Sequence, residues 1–129
     1  MKFQNTKFVI IYGAGGFDEA TPVGPFALLE VNGRDVREHV LDPRDFGLAR
    51  CASEALAGGD AGENAARLCA LFHGERGPLR DALCLNAALV LILAGREHEP
   101  RAAAAACGRA LDDGRAAEFL ARVARPEGA

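Results

Sequence analysis

The sequence predicts an α/β fold in which about four helices cover a partial sheet. That sheet comprises one buried strand of the parallel type and an antiparallel hairpin. Three observations predict this fold: an apolar run near the start, Asn32 followed by Gly33 between two extended runs, and helical patterning that continues after residue 60. The length of 129 residues fits one small domain, so we expect a single partial α/β domain over residues 1–129.

The first predicted element is a strand over residues 7–12. Its run FVII is apolar and rich in β-branched residues, which is typical of a strand buried on both faces of a parallel sheet. Gly13 ends the run. A loop over residues 13–22 follows, with the sequence GAGGFDEATP, and contains three glycines and two adjacent carboxylates.

A hairpin is predicted over residues 26–41. Asn32 and Gly33 both tolerate positive φ, and this pair between extended runs is the strongest short signal for a hairpin. The second half, DVREHVL, alternates polar and apolar residues, so one of its faces should contact solvent. A connector with a short helical turn then spans residues 42–60 and ends in a glycine pair and an aspartate.

Helices are predicted over residues 61–125. Asp60 followed by Glu63 forms an acidic version of the capping box at the first helix. Apolar residues then recur at i, i+3, i+4 and i+7 and predict one buried stripe, made of Ala65, Leu68, Cys69 and Phe72.

The second helix is predicted to start at Pro78 and to end at Gly95. It is apolar nearly all round between residues 82 and 94, so we expect it to be the central and most buried helix. Two further helices, separated by Gly114, complete the set, and Pro126 ends the last one.

Composition excludes some partners. The chain has 15 basic and 18 acidic residues and a net charge of −3, so it lacks the basic footprint of a protein that binds nucleic acid or an anionic membrane. No apolar run reaches the length of a membrane span or of a signal-peptide core. The four cysteines lack metal or redox spacing, so we expect a cytoplasmic protein.

The loop over residues 13–22 has three interpretations from its residues alone. Glycine-rich turns bind phosphate when the chain then enters a helix, but here two prolines lead into the hairpin, which disfavours that interpretation. Asp18 and Glu19 follow the end of a predicted strand, where ligands bind in open sheets, and could hold a magnesium ion. A solvated acidic turn is the alternative, and these residues by themselves favour it.

Two further polar features are interpreted as structural. Asn86 lies inside the most apolar helix and needs hydrogen-bond partners if it is buried, which favours a structural tie over a catalytic role. Arg80 and Asp81, with Arg76 just before them, could form a local charge pair or contact an anion. The local pair is the interpretation we adopt.

Four segments, in order, resemble the C-terminal half of the anthranilate phosphoribosyltransferase family: YGAGGFDEATPVGP, LDPRDFGL, GGDAGENA and GERGPLRDALCLNAALVLILAG. The resemblance runs from about residue 7 to residue 124. Its most specific parts are residues 58–65 and 77–88. It implies that the chain is the C-terminal part of a larger α/β domain, in a family that resembles the pyrimidine nucleoside phosphorylases.

The resemblance also implies an activity. Members of the family transfer the phosphoribosyl group of phosphoribosyl pyrophosphate to the nitrogen of anthranilate, releasing pyrophosphate, in tryptophan biosynthesis. Magnesium ions (Mg²⁺) accompany the pyrophosphate, and Asp18 and Glu19 match two acidic positions that bind one of these ions. A metal held there stabilises the charge that grows on the departing pyrophosphate, so neither carboxylate needs to act as a base. The resemblance thus favours the metal interpretation over the solvated turn.

Other family features lie upstream of the matched region. They are the glycine-rich phosphate motif, a lysine-bearing segment and the arginine that contacts anthranilate, so we expect no activity until the N-terminal half is supplied. We name no catalytic residue, and the residues that bind substrate stay unknown. Tyr12, Phe17 and Phe26 depart from the family's usual residues at their positions.

The expected partners follow from the position of these family features upstream of the matched region. A strand cut from its neighbours exposes unpaired backbone edges, so we expect the chain to pair with an N-terminal polypeptide or with further copies of itself. Phosphoribosyl pyrophosphate and anthranilate would bind once the N-terminal half is present. The rival hypothesis is a non-catalytic remnant or binding module that retains the fold.

Overall fold

A computed structural model of the chain describes residues 8–124. It contains three strands and four helices: β1 (Phe8–Tyr12), β2 (Phe26–Asn32), β3 (Asp35–Leu41), α1 (Ala61–Phe72), α2 (Pro78–Leu93), α3 (Pro100–Asp112) and α4 (Arg115–Val123). Single 3₁₀ turns lie in the loops at Ala14–Gly16, Pro43–Phe46 and Ser53–Leu56. The predicted α/β class is confirmed. Residues 7, 125 and 126, which belong to the predicted first strand and last helix, lie outside the described residues.

The three strands form one sheet in the order β1-β2-β3, and both pairings are antiparallel. The prediction that β1 is a parallel-type strand buried on both faces is therefore wrong in this structure. Residues along β1 alternate between exposed and half-buried because the helices cover only one face of the sheet. An apolar run of five residues cannot distinguish these two situations by itself.

The predicted hairpin is confirmed, with its turn one residue later than expected. Asn32 is the last residue of β2 and pairs with Asp35, so the two turn residues are Gly33 and Arg34. Gly33 has φ of 63°, in the left-handed region that a glycine adopts without strain. Five of the seven residues of β3 are exposed, and they lie on both of its faces. The predicted solvated face is present, but the apolar residues Val36 and Val40 are exposed as well.

The two faces of the sheet differ in their surroundings. Directly paired residues of an antiparallel sheet have their side chains on the same face. The inner face carries Phe26 and Leu28, and these pack in the main core with Phe46 and with residues of α2 and α3. The opposite side, here called the outer sheet face, comprises Phe8, Ile10, Tyr12, Ala27, Leu29, Val31, Val36, Glu38 and Val40.

Helix α2 is the central helix, as predicted. Pro78 occupies its first turn, and Gly95, with φ of 67°, follows its end. Its buried residues contact both the main core and a smaller cluster around Leu71 and Leu111. No helix in the described part of the chain is long and apolar enough to cross a membrane.

The predicted buried stripe of α1 is wrong. Ala65, Leu68 and Cys69 are exposed and Phe72 is half-buried, while Leu71 is the buried residue of this helix. The periodicity predicted the helix correctly, but of the stripe only Phe72 packs against the smaller cluster, while Ala65, Leu68 and Cys69 remain exposed.

Candidate functional site

The glycines of the loop after β1 shape the backbone. The amide of Gly13 donates to the carbonyl of Phe17 at 2.8 Å, and the amide of Gly16 donates to the carbonyl of Gly13 at 3.3 Å. A β-carbon at Gly13 would lie 2.1 Å from the backbone oxygen of Glu19. The loop therefore folds back on itself, and the Gly13 amide is occupied inside it, which disfavours a phosphate cradle.

Asp18 and Glu19 directly follow the turn that the Gly13–Phe17 hydrogen bond closes, beyond the carboxyl end of β1. Both residues are exposed. Their carboxylates form no hydrogen bond or ion pair with another residue of the described range 8–124. Ala20, directly after them, is fully buried in the main core. Two neighbouring carboxylates are thus exposed to solvent, and the residue that follows them fixes the loop to the core.

Asn86 of α2 supplies that anchor. Its side-chain oxygen accepts from the Ala20 amide at 3.2 Å, and its side-chain nitrogen donates to the carbonyls of Ala20 at 2.7 Å and Ala82 at 2.9 Å. One polar side chain in the apolar helix therefore satisfies both backbone groups of the residue that follows the carboxylates. The predicted structural tie is confirmed. Asn86 binds Ala20, the residue next to Asp18 and Glu19 of the candidate site.

A groove of about 350 Å³ lies beside the carboxylates. Glu19, Asn86 and Arg67 all contribute to its lining, together with leucines of α1 and α2. The guanidinium of Arg67 donates to the carbonyl of Ala57, which orients the side chain across the connector. Sequence reasoning missed Arg67. Its position on α1, four residues after Glu63 of the segment GGDAGENA, is the signal that could have identified it.

The motif at residues 58–65 is structural in this chain. Asp60 accepts from the amide of Glu63 at 2.9 Å, and Glu63 accepts from the amide of Asp60 at 2.9 Å, so the predicted capping box is confirmed. The Asn64 amide bonds both backbone groups of Gly59, each at 2.9 Å. These contacts fix the start of α1 and the connector beside the groove.

The predicted local pair between Arg80 and Asp81 is wrong. Arg80 is buried and donates to both carboxylate oxygens of Asp112 on α3, at 2.7 and 2.9 Å, and to the carbonyls of Gly74 and Gly108. Adjacent helix residues point in different directions, so Arg80 faces α3 and Asp81 does not. Arg80 therefore joins α2 to α3 through Asp112. Burial raises the pKa of the Asp81 carboxyl above its ordinary value.

The donor atoms of the loop fit one kind of metal. Within residues 8–124, no group of three or more histidine, cysteine, aspartate or glutamate side chains could hold a metal ion. The two carboxylates of the loop, Asp18 and Glu19, are hard oxygen donors without partners among residues 8–124. Mg²⁺ is commonly bound by one or two carboxylates, with waters and substrate phosphates as its other ligands, so the two residues suit that ion better than one that needs a full protein cage.

Known proteins resemble this chain over most of its length. Residues 1–117 match the family described as "Glycosyl transferase family, a/b domain". The anthranilate phosphoribosyltransferase of Methylocella silvestris is 40% identical over 119 residues, which are 92% of this chain and 34% of that protein. The enzyme of the same name from Desulforudis audaxviator is 41% identical over 114 residues, which are 88% of this chain and 33% of that protein.

Solved structures show the same fold. Anthranilate phosphoribosyltransferase from Thermus thermophilus aligns with a TM-score of 0.78 and 35% identity, over 88% of this chain and 33% of that one. The Saccharomyces cerevisiae enzyme in complex with PRPP and Mg aligns with a TM-score of 0.79 over the same shares, at 22% identity, which shows the fold alone. The chain spans about a third of the length of the relatives it matches.

These matches cover nearly all of the chain. The resemblance to the C-terminal portion of anthranilate phosphoribosyltransferase that the sequence motifs predicted is confirmed. The chain belongs to the glycosyl transferase family and matches its a/b domain.

Proposed function

We propose that this chain contributes the magnesium-binding carboxylates of an anthranilate phosphoribosyltransferase, with the remaining two thirds of the enzyme supplied by further polypeptide. The reaction would transfer phosphoribosyl from phosphoribosyl pyrophosphate to anthranilate. Relatives at about 40% identity carry that name, and a structural neighbour was solved with PRPP and Mg. The family resemblance further leads us to propose tryptophan biosynthesis as the pathway and the cytoplasm as the compartment.

One observation carries the proposal. Asp18 and Glu19 are exposed side by side, without partners among residues 8–124, on a loop whose backbone is fixed by Gly13 and by the Asn86 side-chain amide. A solvated acidic turn with no role would not need a loop backbone fixed by Gly13 and Asn86. Preorganised charges stabilise a developing charge more effectively because they need little reorganisation during the reaction.

Each residue of the site would have one role. Asp18 and Glu19 would hold a magnesium ion, which when bound neutralises the negative charge on the departing pyrophosphate. Asn86 would keep the loop in place, and Arg67 would add positive charge to the groove beside Glu19. No residue of this chain is proposed to move a proton.

Complementation tests this proposal. The chain is co-expressed with a Methylocella silvestris enzyme truncated to lack the third that matches, and anthranilate consumption is followed with phosphoribosyl pyrophosphate and Mg²⁺. We expect turnover from the pair and none from the chain alone. Asp18→Asn combined with Glu19→Gln should lower the rate by about 100-fold or more, because the metal loses its protein ligands.

A matched control removes the same charge elsewhere. Asp35→Asn combined with Glu118→Gln alters two exposed acidic residues outside the loop and should leave the rate of the pair unchanged. Full activity of the Asp18 and Glu19 variant would contradict the proposed metal ligands. A pair that forms but never turns over would indicate the rival function, a binding module that retains the fold.

A further inference from the structure

We propose that the outer sheet face is the docking surface for the part of the α/β fold that this chain does not carry. The inference rests on the proposed function and adds to it the surface by which the two parts of the enzyme recognise each other. That surface is separate from the magnesium carboxylates, so the two can be tested independently.

The outer sheet face is a continuous apolar surface. Ile10 is 50% exposed on β1, Tyr12 is 71% exposed on the same strand, and Val40 is 70% exposed on β3. Ala27 and Leu29 of β2 lie between them and join the two edges into one patch. Single exposed apolar side chains are ordinary, but a contiguous patch across a whole sheet marks an interaction site.

The layer arrangement points to the kind of partner. The core of this chain lies between the inner face of the sheet and helices α2 and α3, so all the described helical packing is on one side. In α/β folds, helices commonly cover both faces of the sheet, and the outer sheet face here is apolar. The missing layer is therefore a set of amphipathic helices.

The edge of β1 adds a second attachment point. Within residues 8–124 β1 pairs only with β2, so its other edge has no strand beside it. Backbone groups on such an edge can accept a further strand. An incoming α/β segment would meet the edge and the adjoining outer sheet face together.

Chain length identifies the occupant. The matched relatives and the Thermus thermophilus structure are about three times as long as the region they share with this chain, and that region has the same fold with a TM-score of 0.78. The remaining two thirds provides enough chain for further strands and a second helical layer. A second copy of this chain would offer instead another three-stranded sheet with the same uncovered side.

Glu38 distinguishes the two occupants. It is the one charged residue of the outer sheet face and pairs with Leu29 across β2 and β3. In a symmetric dimer of this face, two Glu38 carboxylates would be brought into an apolar interface without a basic partner, which is unfavourable. A different polypeptide can place a lysine, an arginine or solvent opposite Glu38.

The test measures how much of the truncated Methylocella silvestris partner co-purifies with the tagged full chain. Ile10→Lys and Val40→Lys each place a charge on one of the two outer strands of the face, β1 and β3, and each should lower the recovered partner by at least about tenfold. Val90→Lys is the matched control, since Val90 is 63% exposed on α2, away from this face, and it should recover as much partner as the unaltered chain. Ile10→Thr keeps a β-branched residue in the strand and should show a smaller loss.

Further readouts separate this inference from the proposed function. The Asp18→Asn, Glu19→Gln variant should recover the partner fully while losing turnover. Recovery without turnover by the unaltered chain would overturn the proposed function and support the docking surface. Normal recovery with Ile10→Lys and Val40→Lys, or no recovery with the unaltered chain, would overturn the docking surface. Sedimentation showing a homodimer that Ile10→Lys dissociates would also overturn it, because the occupant would then be a second copy.

Discussion

At the scale of single residues, Gly13 is required for space. Its backbone has φ of −76° and ψ of 158°, which any residue adopts. A β-carbon there would lie 2.1 Å from the backbone oxygen of Glu19 and 2.9 Å from that of Phe17. Because both neighbours are backbone atoms, a side chain could be accommodated only if the loop that carries Asp18 and Glu19 moved.

Gly13→Ala should therefore destabilise the chain. We expect a loss of about 1–3 kcal/mol in the free energy of unfolding, the usual cost of forcing extra atoms into a packed site. Urea unfolding followed by circular dichroism measures it. Gly62→Ala is the control, because a β-carbon there meets nothing closer than 3.4 Å and lies in α1, so stability should stay equal or rise. Equal stability of Gly13→Ala and the unaltered chain would contradict the close approach.

Residue types predicted part of the candidate site. Two adjacent carboxylates after a strand were visible in the sequence, and Asn86 stood out as a polar residue in an apolar helix. The partner of Asn86 was not visible, because 66 residues separate it from Ala20 and the sequence carries no signal that joins them. Arg67 was missed for a different reason: an arginine on a helix is usually solvated, so its type did not single it out.

At the scale of elements, one ion pair joins α2 to α3. Arg80 is buried and its guanidinium bonds both oxygens of Asp112, with Arg76 also 3.4 Å from that carboxylate. The hydrogen bonds from Arg80 hold the pKa of Asp112 below its ordinary value. Breaking the pair would leave a buried guanidinium with only backbone carbonyls as partners.

Asp112→Asn should change how stability depends on pH. In the unfolded chain the carboxyl titrates near its ordinary pKa of about 4, and in the folded chain it titrates lower. The pair therefore contributes fully above about pH 4, and its contribution is lost as the pH falls towards the folded pKa. We expect the stability difference between the unaltered chain and the variant, measured by urea unfolding, to shrink as the pH falls below the ordinary pKa of the carboxyl.

Asp35→Asn controls for this pH profile, because Asp35 is exposed and forms no ion pair within the described residues. Its profile should follow that of the unaltered chain. A difference between Asp112→Asn and the unaltered chain that stays constant over the whole range would contradict the assigned pair.

Elements were predicted better than their surroundings. The capping box at Asp60, the start of α2 at Pro78 and the hairpin at Gly33 depend on local chemistry, and all three appear in the structure. The pairing of β1 and the burial of the α1 stripe depend on what lies against them, and both predictions were wrong. Periodicity reports which face of an element is apolar, but not whether anything covers it.

At the scale of the whole molecule, the chain leaves apolar surfaces uncovered, which the proposed docking of further polypeptide would explain. The chain carries about a third of its relatives' length, and its fold matches that third. It has a main core, yet the outer sheet face and the α1 stripe remain exposed. One of the motifs that predicted the kinship, at residues 58–65, forms the capping box and the Asn64 contacts at the start of α1 in this chain.

The central claim is that Asp18 and Glu19 hold Mg²⁺ in an enzyme completed by further polypeptide. The most direct measurement is the rate of anthranilate transfer by the co-expressed pair during a magnesium titration, comparing the unaltered chain with Glu19→Gln and with the control Glu118→Gln. We expect Glu19→Gln to need at least about tenfold more Mg²⁺ for its half-maximal rate, and Glu118→Gln to follow the unaltered curve. Superimposable curves for Glu19→Gln and the unaltered chain would contradict the claim.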